Sequence, residues 1–88
     1  MKIVSGFVVR EVGGKTFAVA TGALAKKFHG MITLGGCAKE IWEALQEETT
    51  EDKIVDKLLD VYDVDRKTAA NDVSAFLAKL RKAGLLLE

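Results

Sequence analysis

The chain has 88 residues, 49% of them hydrophobic, which suffices for one modest core and argues against disorder. Its 13 Lys and Arg balance 13 Asp and Glu, so no overall field draws it to nucleic acid or to an anionic membrane surface. The lone Cys37 cannot pair within the chain, no apolar run approaches the roughly twenty residues of a membrane span, and no signal peptide is evident; a single cytoplasmic domain over residues 1–88 is expected.

The segments Phe7–Val12 and Lys15–Ala20 flank Gly13-Gly14, a pair suited to the positive φ angles of a hairpin turn. A two-residue turn sets Val12 opposite Lys15, Arg10 opposite Phe17 and Val8 opposite Val19 on one face. It sets Glu11 opposite Thr16, Val9 opposite Ala18 and Phe7 opposite Ala20 on the other. Both faces carry apolar groups, so the pattern leaves the inner one open. Residues 21–29 read as an irregular connection with at most one helical turn, with Phe28 tucked beneath. Residues 31–34 follow as a third strand, with Ile32 and Leu34 on one face and Met31 and Thr33 on the other. A sheet this small has an edge that offers unpaired N–H and C=O groups to another chain.

At Gly35-Gly36 the period changes. A first helix over about 37–46 buries Ala38, Ile41, Trp42 and Leu45, with a weak start because the glycines cap poorly. A second helix, capped by Thr49 or Thr50, carries Glu51 and Asp52 in its first turn and buries Ile54, Val55, Leu58, Leu59 and Tyr62. Asp65 caps a third helix that runs to about Ala83, buries Ala69, Val73, Phe76, Leu77 and Leu80, and stops at Gly84. Leu85, Leu86 and Leu87 should fold back on the core. The whole is an α+β domain of winged helix-turn-helix type, a three-stranded antiparallel sheet followed by a three-helix bundle.

Catalysis finds little support. His29, the only histidine, reads as a solvated loop residue, and Cys37 as a small packing residue without a second Cys or a spaced His beside it. Asp52, Asp56 and Asp60 form a solvated stripe. No catalytic residue, metal or cofactor is expected. Binding is better supported: the third helix carries Arg66, Lys67, Lys79, Arg81 and Lys82, and one flank, comprising Lys67, Ala70, Asn71, Ser74, Ala78 and Arg81, has small residues that let another backbone approach.

Residues 30–34 (Gly-Met-Ile-Thr-Leu), 41–45 (Ile-Trp-Glu-Ala-Leu), Thr49-Thr50-Glu51, Tyr62-Asp63-Val64, Asp72-Val73, Phe76-Leu77, Leu80 and Gly84-Leu85-Leu86 together resemble the PqqD-like family over nearly the whole chain. The resemblance implies a RiPP recognition element, a non-catalytic module that binds the leader of a ribosomally made precursor peptide and delivers its core to a modifying enzyme, often a radical SAM protein. It further implies that the leader adds as a strand to Met31, Ile32, Thr33 and Leu34 and packs against the third helix, expected here to offer Lys67, Ala70, Asn71, Ser74, Ala78 and Arg81. Many relatives carry a polar capping pair such as Asn-Glu where this chain has Gly35-Gly36. The chain is expected to be a monomer, or a weak homodimer through the open strand edge. The rival reading is a winged-helix transcriptional regulator with the third helix in the major groove, against which the balanced charge and acidic second helix argue.

Overall fold

The computed structural model describes residues 1–28 and 30–88; His29, expected in a loop, lies outside the described residues. The elements follow in the order β1 (Lys2–Ile3), β2 (Phe7–Val12), β3 (Lys15–Ala20), α1 (Gly22–Lys27), β4 (Met31–Thr33), α2 (Ala38–Ala44), α3 (Glu51–Val61), α4 (Arg66–Lys82) and β5 (Leu86–Leu87).

The hairpin of β2 and β3 has the expected register, from Val12 opposite Lys15 to Phe7 opposite Ala20. Gly13 and Gly14 hold φ of 57° and 80°, the left-handed pair that a two-residue turn requires. The inner face is that of Phe7, Val9 and Ala18. Ala18 is fully buried, and Phe7 meets Trp42 edge-on with ring centroids 5.0 Å apart. β4 pairs antiparallel with β3, giving the strand order β2-β3-β4.

Two local expectations are corrected. Residues 22–27 form a six-residue helix rather than an irregular connection. Its entry is tied down because Thr21 donates both its N–H and its hydroxyl to the Gly6 carbonyl, and Leu24 and Phe28, one turn apart, pack on the core. In addition, β1 and β5 form a second, two-stranded antiparallel sheet that no periodicity announced, since two residues are too few to show one. It is fastened by Ile3 N–H to the Leu45 carbonyl and Val4 N–H to the Leu85 carbonyl, both at 2.9 Å. The C-terminal leucines therefore divide. Leu85 is buried and Leu86 half-buried, whereas Leu87 stays exposed.

The helices α2, α3 and α4 lie close to their expected spans and bury the centres of the expected stripes, whereas Ala38, Leu59, Tyr62 and Phe76, expected to be buried, are half-buried at their margins. Ile41, Trp42 and Leu45 meet Ile54, Val55 and Leu58 and then Ala69, Val73, Leu77 and Leu80 in one core that also takes in Ile32 and Leu34. Caps mark the boundaries. Thr50 accepts from Lys53 N–H at 3.3 Å and Asp65 from Thr68 N–H at 2.7 Å, whereas Cys37, starting α2, makes no side-chain cap. At the far end of α4, Gly84 takes a φ of 73°, its N–H bonds the Arg81 carbonyl and Leu85 N–H bonds the Leu80 carbonyl, which turns the chain back and buries Leu85. Among the described residues no helix is long and apolar enough to cross a membrane.

Two outcomes follow for stability. Leu77→Ala, which empties a fully buried site, should cost about 2–5 kcal/mol in denaturant unfolding. The amide of Thr68 holds the Asp65 carboxyl below the usual carboxylate range, so its stabilisation is present above the unfolded value of about pH 4 and is lost as pH falls through the folded one. Asp65→Ala should therefore lower Tm at neutral pH, and the difference from the unchanged protein should close on acidification.

Candidate functional site

The candidate site lies at the free side of β4. Leu34 N–H donates to the Thr16 carbonyl at 2.8 Å. In an antiparallel ladder alternate residues exchange main-chain bonds with the partner and those between them point away. Ile32 and Leu34 thus bond toward β3, and Met31 and Thr33 turn their N–H and C=O groups to the open edge. Side chains alternate too: Ile32 and Leu34 are buried, whereas Met31 is 59% exposed.

Beside this edge runs α4. A cleft of about 170 Å³ lies between Met31 and Thr33 on one side and Lys79, Leu80 and Ala83 on the other, with Phe28 at one end. A second cleft of about 450 Å³ continues past Gly35 and Gly36, walled by Ile41 of α2 and by Asp72, Ala75, Phe76 and Lys79 of α4. Lys79 lines both clefts, which adjoin along α4.

The residues expected to form the helical wall lie elsewhere. Lys67, Ala70, Asn71, Ser74, Ala78 and Arg81 line neither cleft. At 100° per residue, the buried stripe of Ala69, Val73, Leu77 and Leu80 divides α4 into two flanks. Asp72, Phe76, Lys79 and Ala83 fall on the flank toward β4, and the expected set falls on the other. There Arg81 is held by the Glu88 carboxylate at 3.0 and 3.1 Å and Ala70 packs against the core. The sequence contains a usable signal in Phe76: a large aromatic at the margin of the stripe, half-buried rather than central, marks the flank that faces another surface.

Partial burial, followed by the charge of Asp72, pushes the Cys37 thiol up, leaving it protonated at neutral pH and a weak nucleophile. Burial and the Glu40 carboxylate likewise push the Tyr62 phenol up, and its hydroxyl donates to the Gly36 carbonyl at 3.4 Å. Among the described residues no group of three or more His, Cys, Asp or Glu is placed to hold a metal ion. Of the acidic stripe on α3, Asp56 pairs with Arg66, which offsets one of the cations of α4. Lys79 makes no ion pair among the described residues.

Comparison with known proteins gives two matches. A family model described as coenzyme PQQ synthesis protein D (PqqD) matches residues 24–86, from α1 to β5. Among solved structures, TbiB1 in complex with the TbiA(beta) leader peptide is similar, with a TM-score of 0.73 and 27% identity over 98% of this chain and 94% of that one. No curated protein matches.

The assigned edge has a direct signature. In amide-resolved hydrogen exchange of the free protein, Met31 and Thr33 should exchange at least about tenfold faster than Ile32 and Leu34. Equal protection across these four residues would mean that the edge is covered.

Proposed function

The chain belongs to the coenzyme PQQ synthesis protein D family, and from that premise we propose that it is a non-catalytic recognition module that binds the leader segment of a ribosomally synthesised precursor peptide. The observation that carries this reading is the unpaired edge of β4 facing a groove along α4. The similar structure of TbiB1, which holds a leader peptide, supports it.

In the proposed mechanism the leader lies extended beside β4 and exchanges main-chain hydrogen bonds with Met31 and Thr33, which supplies affinity largely independent of sequence. Ile32 and Leu34 hold the strand in place from beneath. Alternate leader side chains enter the groove against Phe28, Phe76, Lys79 and Ala83, which supplies specificity. Lys79, unpaired among the described residues and shared by both clefts, attracts a leader carboxylate. These α4 residues take the role that the sequence alone had given to the opposite flank.

No residue of this chain performs chemistry in the proposal. Holding the leader raises the effective concentration of the attached core peptide at a modifying enzyme, and a bound enzyme gains rate by proximity alone. We propose a radical SAM protein as that enzyme, on the strength of the family resemblance.

The test is a selection from a displayed library of random 16-residue peptides, followed by amide-resolved titration of the best binder. Saturable shifts should appear at Met31, Thr33 and the Phe76 to Ala83 side of α4. Thr33→Pro removes an edge N–H while leaving the β3 ladder whole, and should weaken binding about tenfold or more. Lys79→Glu should select against acidic binders. A Thr33→Pro variant that stays folded and binds as tightly as the unchanged chain would exclude strand addition, and salt-sensitive binding to duplex DNA without peptide binding would favour the winged-helix regulator.

A further inference from the structure

Of the eight glycines in the chain, seven hold a positive φ. Gly35 is the exception. A Cβ built on it meets no heavy atom within 4 Å. Neither backbone conformation nor internal packing calls for glycine there, and almost any other residue would lose less chain entropy on folding. Gly36 differs, since its φ of 58° favours glycine outright.

The position explains what the fold does not. Gly35 follows Leu34 directly and lines both the cleft walled by Ile41, Ala75 and Phe76 and, on its other side, a cavity of about 480 Å³ that reaches Thr16 and Tyr62. Its carbonyl accepts from Ala38 N–H at 3.2 Å, while its own N–H has no acceptor among the described residues. Because Leu34 N–H bonds toward β3, the next N–H along an extended chain turns outward. Met31, Thr33 and Gly35 then offer a row of donors at intervals of roughly 7 Å, the spacing at which an added strand presents acceptors.

We propose that Gly35 is a specificity-determining position: the main chain of the guest peptide crosses the bare backbone at Gly35 in direct contact and continues from the β4 edge into the adjoining cleft, where it lodges a large apolar side chain. This rests on the strand-addition reading above. The apolar preference follows from the walls: Ile41 is fully buried behind the cleft, Phe76 is half-buried along it and Cys37, Ala38 and Ala75 add to it, with Asp72 and Lys79 as its charged lining residues. Any Cβ at position 35 would stand between the guest backbone and this floor. The chain thereby favours peptides that remain extended past the paired segment and carry a bulky apolar residue there.

The experiment uses the best 16-residue peptide from the library above, a shortened form lacking the residues that lie past Thr33, and the chain with Gly35→Ala or Gly35→Val. Gly35→Ala should melt at or above the temperature of the unchanged protein, since its added Cβ meets no heavy atom within 4 Å. Affinity for the full peptide should fall in the order Gly, Ala, Val, with the Val variant down roughly tenfold or more, the size of a small overpacking penalty. The shortened peptide should bind all three alike, and Gly35 should shift on titration with the full peptide only. Full-length binding indifferent to the side chain at 35, or shifts at Met31 and Thr33 without one at Gly35, would overturn this inference and leave strand addition standing. Failure of the unchanged chain to bind any peptide would overturn both. Should Gly35→Val fold poorly, the Ala variant and the Gly35 shift decide the matter.

Discussion

The structure turns on the alternation of direction along β4. One hydrogen bond, from Leu34 N–H to the Thr16 carbonyl, fixes the phase of that alternation. With it, Ile32 and Leu34 send both side chains into the core and both sets of main-chain groups to β3, so that the hydrogen bonds and the core burial that hold the strand act through those two residues. Met31 and Thr33 meet Val19 and Phe17 only as cross-strand side-chain neighbours. Their main-chain groups are left for a neighbour, and a slip of one residue would exchange the two sets and put Ile32 and Leu34 into solvent.

A free edge by itself invites aggregation. Here α4 limits what can approach. Its core stripe of Val73, Leu77 and Leu80 is fully packed, which holds the helix at a set distance from β4, and the Gly84 turn and the β1–β5 sheet anchor its far end. What remains is a groove with one main-chain wall and one side-chain wall. In the proposed role the first would accept any extended peptide and the second, lined by Phe76, Lys79 and Ala83, would discriminate among them. Gly35 extends the main-chain wall beyond the strand proper, where the sheet ends and α2 has not yet begun.

The Cys37 thiol and the Tyr62 phenol are both pushed toward their neutral forms beside Asp72 and Glu40. Arg66 and Arg81 are engaged by Asp56 and Glu88, so the basic character of α4 that the sequence displays is partly offset in the fold. A helix offered to a nucleic acid would keep such cations free for phosphate. Lys79, unpaired among the described residues, instead lines the groove.

The local pattern of the chain was enough to specify the hairpin and its register, the third strand, the spans of α2, α3 and α4 and the centres of their buried stripes, because each depends on a repeat of two or of 3.6 residues and on caps within a few positions. It also marked β4 as an edge and singled out Gly35-Gly36 as the junction. The β1–β5 sheet and α1 escaped it: the first is too short to show a period, and the second is held by Thr21 bonding to Gly6 across the hairpin. The wall of the groove escaped it for a different reason. A buried stripe has two flanks of equal standing in sequence, one with Ala70, Ser74 and Ala78 and the other with Phe76, Lys79 and Ala83. Which of them meets β4 is set by how the helix is laid across the sheet, a relation between elements that no periodicity within one of them contains.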